Sequence, residues 1–240
     1  MPSLVGPSHY VFFGAIVRRL QWLRRIAEVY QNSGDPELLV SLARTEKLFA
    51  STLDRAEKVS GLGIRKPYPL TELLDDTPVE SFLARFYDEL CAFEAHLFDL
   101  LHAHHQRVGE TEAQIRIEEC INICALWGRE IAGEKLLIPN DERYDSYSVF
   151  EGLYQFLEGG DLQWKPLLPR RLTENEVHYE LRFCPHARGH SVSSNAEAKT
   201  LACRFESVVF EHFAKFLAHN ATFSRTRGLD HCTDRIFLNN

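Results

Sequence analysis

The spacing of the apolar residues differs between the two halves of this chain, and the difference restricts the folds that it can adopt. From about residue 9 to residue 137 they recur every three or four positions, which is typical of amphipathic helices. Between Val177 and Phe183 they alternate with polar residues instead, which is typical of a half-buried strand. A chain with these two periods in succession is predicted to be helical first and mixed α+β afterwards.

Capping and breaking residues divide the N-terminal half into helices. Ser33-Gly34 stops the first, and Asp35-Pro36-Glu37 offers the second an N-cap, a proline in its first turn and an acid. Thr77–Glu80 and Thr111–Gln114 both have the spacing of a capping box. Helices are therefore predicted over about 9–32, 36–59, 78–105 and 111–136, the last two forming an antiparallel pair joined near Gly109.

Two further helices are predicted in the C-terminal half. Ser148–Glu151 has capping-box spacing and starts a short helix that ends near Gly159. Ser194–Glu197 starts another helix, which runs to about His219. Between the two, Pro166 and Pro169 predict a loop.

The last strands complete the predicted architecture. Thr222–Arg227 and Cys232–Leu238 are strand-like on either side of Gly228-Leu229-Asp230, which predicts a hairpin. The fold class is therefore α+β, with the helical half packed on a small C-terminal antiparallel sheet that a helix crosses. The predicted division is a helical region over 1–138 and an α+β region over 139–240, which could form one continuous domain.

Composition excludes several classes of function. Of the 240 residues, 45% are hydrophobic and the net charge is -7, so a full core can form and a phosphate backbone is not attracted. Arg18, Arg19, Arg24 and Arg25 cluster at helical spacing, which predicts a solvated helix face. The net charge also leads us to expect no nucleic-acid partner. No membrane span or secretory signal is recognisable, so we expect no membrane partner and a cytoplasmic location. In that location the six cysteines would be reduced.

Three cysteines in the last sixty residues occupy three different settings. Cys184 follows the alternating strand, Cys203 lies in a predicted helix, and Cys232 begins the last strand. A strand, a crossing helix and a hairpin can bring all three thiols to one end of a small sheet. The sequence therefore predicts a polar, thiol-rich pocket there.

Each thiol has a possible chemical partner nearby in the sequence. His186 lies two residues after Cys184, and an imidazole beside a thiol can favour the thiolate. Glu206 lies one helical turn after Cys203, where a carboxylate can act as a base, and on this helix both are expected to lie beside the main apolar stripe. Asp230 and His231 place an acid and a base just before Cys232. In each case an ordinary buried cysteine next to surface polar residues remains the alternative.

Zinc is a further alternative for the same thiols. Three cysteines and a histidine would complete a tetrahedral site. However, 18 and 28 residues separate Cys184, Cys203 and Cys232, and these spacings match no compact zinc module. We expect no cofactor, and nucleotide-binding and serine-hydrolase motifs are also missing from the sequence.

The C-terminal region resembles the L-2-amino-thiazoline-4-carboxylic acid hydrolase-like family. The resemblance is carried by Tyr179–Ala187, Leu201–Cys203 and Phe223–Cys232, about a quarter of the chain. These stretches hold a Cys-Pro after a strand, a cysteine on the next helix, and an Arg-Thr ending with Gly-x-Asp-x-Cys. Two positions depart from the family pattern: Glu206 stands where aspartate is usual, and Asp234 where an aromatic residue is usual.

The resemblance implies hydrolytic opening of a small cyclic amidine or thiazoline derived from an amino acid. It implies that the Cys184 and Cys203 thiols lie at the reacting centre, with Glu206 as the base. Asp230 and Cys232 would be structural or catalytic partners, and Arg225 would bind a substrate carboxylate, since a guanidinium can hold one bidentately. His186 and His231 are acid or base candidates from their chemistry and not from the family pattern.

Two other functions compete with a hydrolase or hydrolase-like lyase. One is a small-molecule-binding or sensor module without catalysis, similar to vinyl-reductase-type ligand-binding domains, which also end in a strand with a glycine and then a cysteine. The other is a metal protein that uses the C-terminal thiols. In the sensor module the N-terminal helices would serve dimerisation or signalling. Whatever the function, these helices could cover the pocket or bury a partner, and a homo-oligomer could form through them.

Overall fold

The computed structural model describes residues 7–47, 50–51, 79–134, 145–153, 167–181, 195–227 and 232–239. Its described helices are α1 Pro7–Tyr30, α2 36–47, α3 Val79–Val108, α4 Glu110–Glu134, α5 Ser146–Leu153 and α6 Ala196–Leu217. Its described strands are β1 Leu167–Thr173, β2 Glu176–Leu181, β3 Ala221–Arg227 and β4 Cys232–Leu238. The α+β fold class is therefore confirmed.

The turn between α1 and α2 follows the sequence signals. Gly34 has a φ of +73°, a left-handed conformation that glycine adopts without steric cost. Asp35 then caps α2, because its Oδ1 accepts hydrogen bonds from the Glu37 and Leu38 backbone N–H groups, each at 3.1 Å. Its other carboxylate oxygen accepts from His104 Nδ1 at 3.0 Å and Arg107 Nη2 at 2.7 Å, which attaches this turn to the end of α3.

The predicted junction between α3 and α4 is confirmed at Gly109. This residue has a φ of +86°, and α4 begins directly after it, one residue before the predicted capping box at Thr111. The two helices contact each other on either side of this single residue. A left-handed glycine is sufficient to reverse the chain here.

The four described strands form one antiparallel sheet in the order β1-β2-β4-β3. The predicted hairpin of β3 and β4 is confirmed. The loop predicted from Pro166 and Pro169 is wrong over Leu167–Thr173, which is β1. Pro169 is tolerated there because β1 is an edge strand, and the pairing register with β2 shifts between Pro169 and Arg171.

Helix α6 lies at the centre of the molecule. It packs on α4 and on α3 along one side and on β3 along another, after Asn195 caps its first turn through the Glu197 and Ala198 N–H groups. A Cβ atom on Gly128 of α4 would stand 2.3 Å from the carbonyl oxygen of Val209 on α6. Only glycine permits the two backbones to approach so closely.

The burial of α6 corrects one prediction about its faces. Cys203 and Glu206 were expected to lie beside the apolar stripe, yet they are only 1% and 2% exposed. The helix is covered on several sides, and the surrounding core contains apolar residues from both halves of the chain. An amphipathic pattern assumes that a helix has one buried face and one solvated face. Because α6 is covered on several sides, residues beside its apolar stripe are buried as well.

Candidate functional site

Five charged side chains form a network in the interior of the protein. They come from five different elements and are between 0% and 10% exposed. The members are Arg19 on α1, Glu94 on α3, Glu206 on α6, Arg225 on β3 and Asp234 on β4. We call them the buried ion network.

Arg225 holds the sheet end of the buried ion network. Its Nε and Nη2 atoms donate to the two carboxylate oxygens of Asp234 at 2.6 and 2.7 Å, a bidentate pair across neighbouring strands. Its Nη1 donates to Oε2 of Glu206. The guanidinium also lies over the Phe210 ring, 5.0 Å from the centroid, so apolar contact covers the charge that the carboxylates neutralise.

Arg19 holds the helical end of the network. Its Nε and Nη2 donate to the Glu94 carboxylate at 2.7 and 3.1 Å, and its Nη1 donates to Oε1 of Glu206 at 2.6 Å. Each guanidinium therefore bridges two carboxylates, and Glu206 bridges the two guanidiniums. This arrangement joins α1 and α3 to the sheet through a single residue of α6.

The network changes what the predicted site residues can do. A carboxylate bonded to two guanidiniums is a poorer proton acceptor than one in water, which limits Glu206 as a general base. Arg225 binds two carboxylates of the protein itself, so holding a substrate carboxylate would require it to exchange a partner. Both roles remain predictions, and both residues are well placed to fix the geometry around Cys203.

Two of the predicted thiols lie at the same end of the layer formed by α6 and the sheet. Cys203 and Cys232 are 1% and 4% exposed. Cys203 lies one turn before Glu206 on α6, and Cys232 lies two residues before Asp234 on the same face of β4. Helix α6 and β3 run in opposite directions, and β4 is antiparallel to β3, so α6 and β4 run the same way. Both thiols therefore lie on the side of the buried ion network that is nearer to the start of α6.

Four predicted site residues lie outside the described part of the chain. They are Cys184, His186, Asp230 and His231. The described residues nearest to them in the sequence lie at the end of the α6–sheet layer that holds Cys203 and Cys232. Strand β2 ends there at Leu181, and Leu181 pairs with Cys232 at the start of β4. The predicted convergence of three thiols therefore stays a prediction, with two of its members described.

A cleft opens beside the buried ion network, between α1, α4 and α6. It is small, with a volume of about 20 Å³, which is room for about one water molecule. Its polar lining consists of Arg18, Arg19 and Glu206. Its apolar lining consists of Trp22, Trp127, Ile131, Val209 and Phe210. The cleft thus reaches the network from the helical side, whereas the thiols lie on its sheet side.

Sequence reasoning missed three members of the network. Arg19 was assigned to a solvated face, which is wrong because its side chain is 10% exposed. Glu94 interrupts an apolar stripe that includes Leu90 and Leu97, and Asp234 alternates with Cys232 and Ile236 on a buried face. An acid inside an apolar stripe is a signal for a buried ion pair, and it could have identified both carboxylates.

A second polar cluster lies in the helical half, around Tyr30. The Tyr30 hydroxyl is 2.8 Å from Nε2 of His105, and burial lowers the pKa of His105 to about 4. Burial also raises the pKa of the Cys124 thiol to about 12, and Cys124 accepts a hydrogen bond from the Trp22 indole N–H at 3.2 Å. These groups are neutral at ordinary pH, which suits a structural role.

The described ranges contain neither a metal-binding cluster nor a membrane-spanning helix. No three His, Cys, Asp or Glu side chains there are arranged to hold a metal ion. None of the helices described is both long and apolar enough to cross a membrane. The five described cysteines are all free thiols.

Comparison with known proteins adds no relative. No family model, no curated protein and no solved structure matches this chain.

Proposed function

We propose that the chain is a hydrolase that opens a small cyclic amidine or thiazoline derived from an amino acid. The observation that carries the proposal is the position of Cys203 and Cys232 at one end of the α6–sheet layer, next to Glu206. Glu206 also lines the cleft that opens to solvent. Two thiols and a carboxylate thus occur together in a protein whose C-terminal region resembles such hydrolases, and the cleft reaches that carboxylate from its other side.

The proposed reaction adds one water molecule to the substrate. Water, or first a thiolate and then water, attacks the ring carbon between nitrogen and sulfur, and the tetrahedral intermediate collapses with cleavage of the carbon–sulfur bond. The ring sulfur takes up a proton and leaves as a thiol, and the product is a carbamoyl amino acid. Cys184, Cys203 or Cys232 supplies the thiolate, and His186 or His231 transfers the proton.

Glu206 and Arg225 act in this proposal mainly by positioning. The two side chains fix α6 against β3, and so they fix Cys203 relative to Cys232. Active-site groups must be held within fractions of an ångström to react efficiently, which a buried ion pair achieves better than a solvated one. Asp234, which departs from the family pattern, is the residue that holds Arg225 in this orientation.

The test is substrate turnover measured by mass spectrometry with thiazolines, cyclic amidines and carbamoyl amino acids. We expect at least one ring substrate to gain the mass of water, and Cys184→Ser, Cys203→Ser or Cys232→Ser to abolish this gain while the far-ultraviolet circular dichroism is unchanged. Cys120→Ser, which alters a buried thiol of α4, is the matched control and should remain active. Consumption of no ring substrate would refute the proposal.

A binding module without catalysis is the second candidate. It is favoured by the contacts of Glu206 and Arg225, since both have carboxylate or guanidinium partners within the protein. Such a module would be stabilised by a ligand of the panel without forming product, because a ligand that binds only the folded state raises its stability. Thermal unfolding with each panel member, followed by product analysis, separates the two candidates.

A further inference from the structure

The outer surface of α1 and α4 exposes apolar side chains. Among the described residues, three large hydrophobic side chains are exposed, and two of them belong to α4: Ile115 is 46% exposed and Leu126 is 55% exposed. They lie about three helical turns apart, so both point from the same face of α4. Exposed apolar residues that share one face indicate an interaction surface more strongly than scattered ones.

An open groove lies beside Leu126 on this surface. It has a volume of about 390 Å³, and it is lined by Arg25, Glu28 and Val29 of α1 and by Ile123 and Leu126 of α4. A single water molecule needs about 10–15 Å³ of such space, so the groove has room for side chains of a partner. Val29 and Ile123 are half-buried, and they give the groove an apolar floor.

The charges around the groove are balanced. Arg24 and Glu28 of α1 form an ion pair at 3.1 Å, and Arg25 pairs with Glu130 of α4 at 2.6 Å. All four side chains are between 40% and 57% exposed. A partner with a large net charge would gain little from such a surface. A second copy of the same surface is complementary to it, because an antiparallel copy presents each sign of charge to the opposite one.

We propose that this surface joins two copies of the chain in a two-fold symmetric dimer. We call it the α1–α4 face, and it consists of Arg24, Arg25, Glu28, Val29, Ile115, Ile123, Leu126 and Glu130. With the two copies of α1 antiparallel and the two-fold axis midway between Arg24 and Glu28, Arg24 of each copy faces Glu28 of the other. Leu126 of each copy then packs toward the apolar floor of the other's groove. The dimer does not rest on the proposed hydrolase activity.

Analytical ultracentrifugation of the full chain over a range of concentrations tests the dimer. We expect a monomer–dimer equilibrium at micromolar concentration. Leu126→Glu should weaken it at least about tenfold, because the contact would then bury a charge. Val40→Glu is the matched control, since Val40 on α2 is also 55% exposed and is not part of the α1–α4 face. This variant should dimerise like the parent, and circular dichroism checks that both variants are folded.

Exchanged charges test the antiparallel orientation. Arg24→Glu and Glu28→Arg each place like charges opposite one another in a homodimer, so each variant alone should dimerise about tenfold more weakly than the parent. A mixture of the two variants places opposite charges at both positions. The mixture should therefore associate more tightly than either variant alone.

Three outcomes would overturn the inference. A parent chain that remains monomeric at millimolar concentration would leave the α1–α4 face to a different protein. Equal losses in Leu126→Glu and Val40→Glu would show that the contact between copies lies elsewhere. A mixture of Arg24→Glu and Glu28→Arg that associates no more tightly than each variant alone would refute the antiparallel pairing. The oligomeric state is measured without substrate, so each of these results is independent of turnover.

Discussion

Replacing Glu206 by glutamine removes the negative charge that two buried guanidiniums share. Glu206 accepts from Arg19 at 2.6 Å and from Arg225, and its side chain is 3% exposed. A hydrogen bond to a charged group contributes about 1.5–3 kcal/mol, and breaking a buried ion pair costs about 3–5 kcal/mol. Because glutamine keeps one carbonyl acceptor and each arginine keeps its second carboxylate, we expect a loss near the lower limit, about 3 kcal/mol.

The loss is measured by urea unfolding followed by circular dichroism, with the midpoint and slope fitted together. In a protein of this length, about 3 kcal/mol corresponds to a fall in Tm of roughly 6–12 °C. Glu211→Gln is the control on the same helix, since Glu211 forms an exposed pair with Lys215 one turn away. That variant should lose at most about 0.5 kcal/mol.

Equal stability of Glu206→Gln and Glu211→Gln would contradict this expectation. Such a result would mean that the desolvation cost of the buried ion network cancels its attraction. A rise in stability of Glu206→Gln would point in the same direction even more strongly. The double substitution with Arg225→Gln measures the coupling energy of the Glu206–Arg225 pair directly, and we expect it to be at least about 1 kcal/mol.

Three further predictions concern the helical half. Gly128→Ala should destabilise the protein by about 1–3 kcal/mol in urea unfolding, because the new methyl group would meet the Val209 carbonyl at 2.3 Å. Gly133→Ala is its control and should be neutral or stabilising, since its nearest contact is 3.8 Å away and alanine favours helix; equal losses would contradict the close approach of α4 and α6. The hydrogen bond from His104 holds the pKa of Asp35 well below its ordinary value, so its contribution is present above the unfolded-state pKa and is lost as the pH falls through the folded-state pKa. The stability difference between the parent and Asp35→Asn should therefore shrink in acid, and a constant difference would contradict this. Burial lowers the pKa of His105 from 6.5 to about 4, so the unfolded state binds more protons between these values and stability should fall as the pH drops from 6.5 to 4. His105→Gln should flatten this slope, and an unchanged slope in pH-dependent urea unfolding would contradict the assignment.

Local signals determined the boundaries that the sequence predicts well. Gly34 and Asp35 end one helix and cap the next through contacts within a few residues, so no distant part of the chain is needed to form them. The β3–β4 hairpin also forms between neighbouring segments of the chain, and buried and more exposed residues alternate along β4 as the sequence predicts. The edge strand β1 was missed because proline normally argues against a strand, and only its place at the margin of the sheet makes it acceptable.

The order of the described helices and of strands β2, β3 and β4 is predictable from the sequence, because hydrophobic period and capping residues act over one or two turns of chain. The sequence also identified Cys203, Glu206, Arg225 and Cys232 as residues of interest. The burial of Glu206 between two arginines, one of them 187 residues away in the chain, is visible only once the elements are packed together. Whether a charge is solvated or paired depends on which elements pack around it, and residue spacing contains no information about a partner so distant.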